Sequence, residues 1–128
     1  MLEFFSGNDI MKINKILAFI IALWLIPTLG FSHVGMLNSS PAKNGFVSSS
    51  PEKVTIKFGG ELEPAFSKIE VFDQNDKKVS GKTTFLKSNK VMESELDENL
   101  PPGTYTVKIK CMSLDGHIIK EEYTFFIE

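Results

Sequence analysis

The chain has one cysteine, two histidines and no arginine in 128 residues, and each scarcity removes a class of explanation. Cys111 alone cannot form an internal disulfide, so an exported form would have to be held by its core, near the size at which small exported domains often carry staples. All 14 positive charges are lysines, and they alternate with acids instead of clustering. With a net charge of -2 and no basic patch interleaved with aromatics, nucleic acid is not a partner the sequence supports. Long apolar runs are also scarce: the longest, Ile16 to Leu29, is broken by Pro27 and falls short of the roughly 20 residues that span a bilayer comfortably. No internal repeat or low-complexity tract occurs, and no window beyond that run keeps helical periodicity. Length and 42% hydrophobic content describe one ordinary small domain.

The N-terminal segment has the layout of a signal peptide. A short basic stretch, Met11-Lys12-Ile13-Asn14-Lys15, precedes the apolar run, which ends in Gly30-Phe31-Ser32 with small residues at the two positions a signal peptidase reads. The expected organisation is a signal peptide over residues 1–32 and one domain over 33–128, with His33 first in the mature protein; the bland alternative is an uncleaved membrane anchor. Residues 1–10 stand ahead of a leader that has its own Met11, so they read as an over-extended start or a cloning remnant and carry no assigned function.

After the leader, short β-rich runs recur between turn signals. They are Val54–Phe58, Lys68–Phe72, Thr83–Leu86, Thr104–Met112 and Glu122–Ile127, separated by Gly59-Gly60, Asp73-Gln74-Asn75-Asp76, Pro101-Pro102-Gly103 and Asp115-Gly116-His117. This spacing predicts an all-β Greek-key sandwich of about seven strands. Period-two alternation in Tyr105 to Cys111 puts Cys111 on the buried face with Val107 and Ile109, where a small core thiol is favoured over a ligand or redox role. Asp73 to Lys78 reads as a solvated loop.

The two histidines are the main chemical signal. Cleavage after Ser32 would give His33 a free amine, so one residue could chelate a metal through that amine and its ring Nδ1. His117, in the turn before the last long strand, could add an imidazole, and Asp115 a carboxylate. Such a nitrogen-rich set with one oxygen suits tetragonal Cu(II) better than Ni(II) or Zn(II). Asp-Gly is equally a common hairpin pair, so the turn could be local geometry with His117 merely exposed beside it. Spacing alone leaves both readings open.

The chain resembles the periplasmic copper-resistance protein C (CopC) family over essentially all of residues 33–128. The matching stretches are His33 to Ala42 with Gly45, Val54–Phe58, Glu63-Pro64-Ala65-Phe66-Ser67, Pro102 to Val107 and Ser113-Leu114-Asp115-Gly116-His117. The resemblance implies an immunoglobulin-like sandwich or barrel and one Cu(II) ion held by His33, Asp115 and His117. It also implies a periplasmic, monomeric copper-resistance or homeostasis protein that buffers copper or passes it to an inner-membrane copper transport protein. Gly35 stands where many relatives carry a second early histidine and Ile118 where proline often follows, but neither change removes a ligand. Met36, Met92 and Met112 are scattered, so a soft Cu(I) site of the kind some relatives hold is not expected, and Met112 reads as packing filler. Two rivals stand beside this reading. One is a histidine-brace copper oxidase of the polysaccharide monooxygenase type; the other is a metal-free immunoglobulin-like interaction module in which Phe66, Phe85, Phe125 and Phe126 are only core.

Overall fold

The computed structural model describes residues 7–24 and 34–128, with side chains for 7–18 and 34–128. The chain divides into two compact units, Met1–Phe31 and Ser32–Glu128. In the first, helix α1 spans Gly7–Trp24. Among the described residues no helix is long and apolar enough to cross a membrane. The bond after Ser32, and His33 itself, lie outside the described residues.

The second unit is an all-β sandwich. Its strands are β1 (Met36–Ser40), β2 (Phe46–Val47), β3 (Lys53–Phe58), β4 (Lys68–Phe72), β5 (Ser80–Leu86), β6 (Val91–Leu96), β7 (Gly103–Met112) and β8 (Ile118–Ile127). One sheet runs β1-β3-β6-β5 and the other β2-β8-β7-β4. All pairings are antiparallel except the short parallel contact of β2 with β8. Eight strands stand where about seven are read from the sequence. The three not legible there are β1, which is polar and half-exposed at a sheet edge, the two-residue β2, and β6, whose Val-Met pair breaks strict alternation.

Alternation builds the core. Val54, Ile56 and Phe58 of β3 face Tyr105, Val107, Ile109 and Cys111 of β7 and Tyr123, Phe125 and Ile127 of β8, all nearly or wholly buried. Tyr105 stacks on Phe125 at 5.4 Å and donates its hydroxyl to the Pro101 carbonyl at 2.6 Å, so its polar end is satisfied. At the open side of the second sheet, β4 offers backbone N–H groups with no further strand to accept them. Two hydroxyls of β5 take that place: Ser80 Oγ accepts from Val71 N–H at 2.8 Å and Thr83 Oγ1 from Ile69 N–H at 2.9 Å. The edge is thereby capped by side chains instead of left open to strand addition. Phe66 is a correction to the core reading, since it ends a 3₁₀ turn (Pro64–Phe66) outside any strand alternation and is 60% exposed. Phe85 is only partly buried, and Phe126 is half-buried and stacked on exposed Phe46; Phe125 alone of the four is fully enclosed.

Cys111 is fully buried, as strand alternation requires, and burial pushes its thiol up to about 11 from an ordinary 9.0, with the Glu121 charge adding to the shift. Because the folded thiol holds its proton more tightly than the unfolded one, this stabilisation is complete below pH 9.0 and is lost as pH rises toward about 11. Tyr123, pushed up to about 12 by burial, extends the same trend. Unfolding free energy measured by urea titration is therefore expected to fall between pH 9 and 11, and iodoacetamide at pH 8 is expected to label Cys111 only under denaturing conditions. Rapid labelling of the native chain would contradict the burial. Cys111→Ala should cost about 1–2 kcal/mol through lost packing.

Candidate metal centre

Asp115 and His117 sit in the hairpin loop between β7 and β8, and the loop is held by its own backbone. Gly116 N–H donates to the Ser113 carbonyl and Ser113 N–H to the His117 carbonyl, both at 3.0 Å, just beyond the last cross-strand pair Met112–Ile118. Gly116 has φ of 89°, a left-handed conformation that costs glycine nothing and strains any other residue. This is the Asp-Gly hairpin chemistry that the sequence admits.

The turn also gathers side chains. Asp115 Oδ2 lies 2.8 Å from His117 Nδ1. The other carboxylate oxygen, Oδ1, accepts a short hydrogen bond from Ser113 Oγ and a longer one, 3.4 Å, from the His117 backbone N–H. The Ser113 hydroxyl and the His117 ring, in that order, hold the Asp115 carboxyl below its usual range, so it is ionised at neutral pH. Ser113 itself is buried, whereas the side chains of His117 and Asp115 are 71% and 43% exposed. The donors face solvent from a buried base.

A second segment braces that base. Leu62 bridges Ser113, Glu63 N–H donates to the Met112 carbonyl at 2.8 Å, and Met112 N–H donates to Ser67 Oγ at 3.1 Å. The Ser67 hydroxyl in turn donates to the Glu63 carbonyl at 2.7 Å. Leu62 follows Gly59-Gly60, and these glycines take up the start of the β unit: Gly59 N–H donates to the Gly35 carbonyl at 3.0 Å. A Cβ on Gly60 would come within 2.7 Å of a Val34 methyl, so only glycine lets Val34 lie this close. Val34, the residue after His33, is thus tied to the same short segment that bridges Ser113.

Of the three ligand candidates, the structure brings Asp115 and His117 together, and His33 lies outside the described residues. Among the described residues no group of three or more His, Cys, Asp or Glu side chains gathers as a metal cluster. Ser113 is the residue sequence reasoning passed over: its place two residues before Asp115 was visible, but its role depends on burial by Leu62 and on the direction of its hydroxyl. The methionines are dispersed, with Met92 buried in the core, Met36 packed against it and Met112 half-buried at the hairpin base. No thioether pair converges on the loop among them.

Known proteins share this fold. A family model described as the CopC domain matches residues 36–128. The copper transport protein CutJ of Bacillus subtilis (strain 168) is 33% identical over 107 residues, covering 82% of this chain but 20% of that protein, so this chain spans about a fifth of the relative's length. Protein YobA of Escherichia coli (strain K12) is 30% identical over 102 residues, covering 77% and 81% of the two chains. Among solved structures, CopC from Methylosinus trichosporium OB3b superposes with a TM-score of 0.69 at 31% identity, covering 75% of this chain and 94% of that one. PcoC, a methionine-rich copper resistance protein from Escherichia coli, gives 0.66 at 28% identity, covering 76% and 100%. With a match over the whole sandwich from β1 to the C-terminus, relatives at 30% identity or better and the same fold, the chain belongs to the CopC domain family.

Proposed function

We propose that this is a copper-handling protein of the periplasm that binds one Cu(II) ion through His33, Asp115 and His117 once a leader is removed after Ser32. It buffers the ion or delivers it to an inner-membrane copper transport protein, acts as a monomer and catalyses no reaction. The observation that carries this reading is the 2.8 Å separation of His117 Nδ1 and Asp115 Oδ2. Two donors bonded to one metal at about 2.0 Å and at right angles stand about 2.8 Å apart, so the spacing of this ion pair supports the two side chains as neighbouring ligands of one ion.

His33 supplies the remaining two nitrogens, its amine and its ring, and closes a chelate within one residue. The tie from Val34 through Gly60 and Leu62 to Ser113 supports a meeting of His33 with the hairpin. The match to one fifth of a longer protein named for copper transport supports a transport protein as the recipient.

The test is Cu(II) titration with electron paramagnetic resonance on protein shown by intact mass to begin at His33. One equivalent should give a tetragonal signal of three nitrogens and one oxygen, and Cys111→Ala should leave that stoichiometry unchanged because the set needs no sulfur. Reductant-driven oxygen consumption by the copper form should not exceed that of free copper; an excess would point to the histidine-brace oxidase instead. Failure to bind copper at all would leave the metal-free interaction module.

A further inference from the structure

The outer face of the β2-β8-β7-β4 sheet carries an arrangement the copper reading does not use. Cross-strand register sets Lys68 opposite Lys110 and Lys110 opposite Lys120, so three lysines form one row across β4, β7 and β8. Adjacent strands lie about 4.8 Å apart, and like charges directly opposite destabilise a sheet. The row below shows the ordinary solution: Glu70, Lys108 and Glu122 alternate in sign across the same strands. All three lysines of the upper row are exposed. Lys68 pairs with Glu70 at 2.6 Å, and among the described residues Lys110 and Lys120 enter no ion pair.

The row above, toward the hairpin, is apolar. Met112 stands opposite Ile118, and with Phe66 they wall a groove of about 280 Å³ that Lys68 and Lys110 also line. Phe66 is 60% exposed and Ile118 56%, although both are large apolar side chains. Ile118 directly follows His117. An apolar groove bordered on one side by lysines is suited to hold a partner's anchor side chain and screen it from water.

We infer that this surface docks a protein segment that presents one large apolar side chain flanked by carboxylates. The groove has room for a single inserted side chain, and its concavity suits a protruding residue better than the plane of a bilayer. Carboxylates on either side of that residue would neutralise the lysine row, whose self-repulsion costs the isolated domain stability. A segment seated here lies against the residue that follows His117, so a docked partner borders the hairpin. The surface involves no metal ligand, and its test needs no copper, so its failure and failure of the copper site are separate results.

The probe is a fluorescein-labelled synthetic peptide, Glu-Glu-Phe-Glu-Glu, followed by fluorescence anisotropy with the full chain free of metal. Saturable binding is expected, weakened about tenfold or more when the peptide's phenylalanine becomes alanine, when NaCl is raised to about 0.5 M, or in Phe66→Ala protein. Lys110→Glu is the sharpest variant. It turns the repelling row into an alternating one, so it should raise Tm by roughly 2–4 °C while abolishing peptide binding. A lysine with a merely structural role would not give a gain of stability together with a loss of binding. Absence of saturable binding, or equal binding by Lys110→Glu, overturns the inference. Co-sedimentation with phosphatidylglycerol vesicles by a chain that ignores the peptide also overturns it, and would assign the face to a membrane.

Discussion

His117→Ala is expected to lower Cu(II) affinity by at least about 100-fold, a loss of about 3 kcal/mol of binding free energy, and to change the paramagnetic resonance spectrum from a three-nitrogen to a two-nitrogen pattern. The chain has only one other histidine, His33, and the proposed site already uses its ring, through Nδ1, together with its amine, so no second imidazole can substitute. Asp115→Asn should cost less, about tenfold, because water can take the position of the lost oxygen. Part of that cost arises before copper arrives. Asp115 Oδ2 holds the His117 ring at 2.8 Å, and its other oxygen is fixed by the Ser113 hydroxyl, so an amide would weaken the orientation of the ring as well as the ligand set. Because copper must displace protons from the imidazole and amine nitrogens, affinity in both proteins should decline as the solution is acidified. Isothermal titration of wild type and the two variants at two pH values measures the affinities, and paramagnetic resonance of the same copper-loaded samples reads the donor set. Unchanged affinity and spectrum in His117→Ala would reduce the loop to a hairpin turn.

The second large effect concerns where the mature chain starts. A protein beginning at His33 should bind Cu(II) at least about 100-fold more tightly than one that keeps even Ser32 ahead of it. The extra residue converts a strong amine donor into an amide and opens the chelate ring, removing a nitrogen and the entropic advantage of two donors on one residue. Intact mass of the exported protein and titration of both forms decide it. Equal affinity would show that the backbone amine is not a ligand, and an exported start several residues from His33 would remove the proposed first anchor.

The architecture was legible where buried and exposed residues alternate strictly along a strand. β3, β4, β7 and β8 announce themselves by alternation, and Cys111 could be placed in the core from its neighbours alone. Strands without strict alternation were not: β1 (Met36–Ser40) buries little at its sheet edge and its composition has no reason to alternate, β2 is only two residues long, and central β6 opens on the buried Val91-Met92 pair. Phe66 shows the opposite failure: a large apolar residue looks like core until the 3₁₀ turn that carries it is known to point outward. The lysine row was invisible for a related reason. Lys68, Lys110 and Lys120 are far apart in sequence and only register sets them opposite one another.

The sequence by itself determined the family resemblance and the two-layer β fold and nominated the residues proposed to bind copper, because these follow from local pattern and from the scarcity of other donors. Only the tertiary structure decided how Asp115 and His117 face each other, that Ser113 fixes the carboxylate, and that Leu62 and Gly60 tie the hairpin base to Val34. Those relations depend on hydroxyl direction, burial and cross-strand register, and none of these is a property of any single stretch of chain.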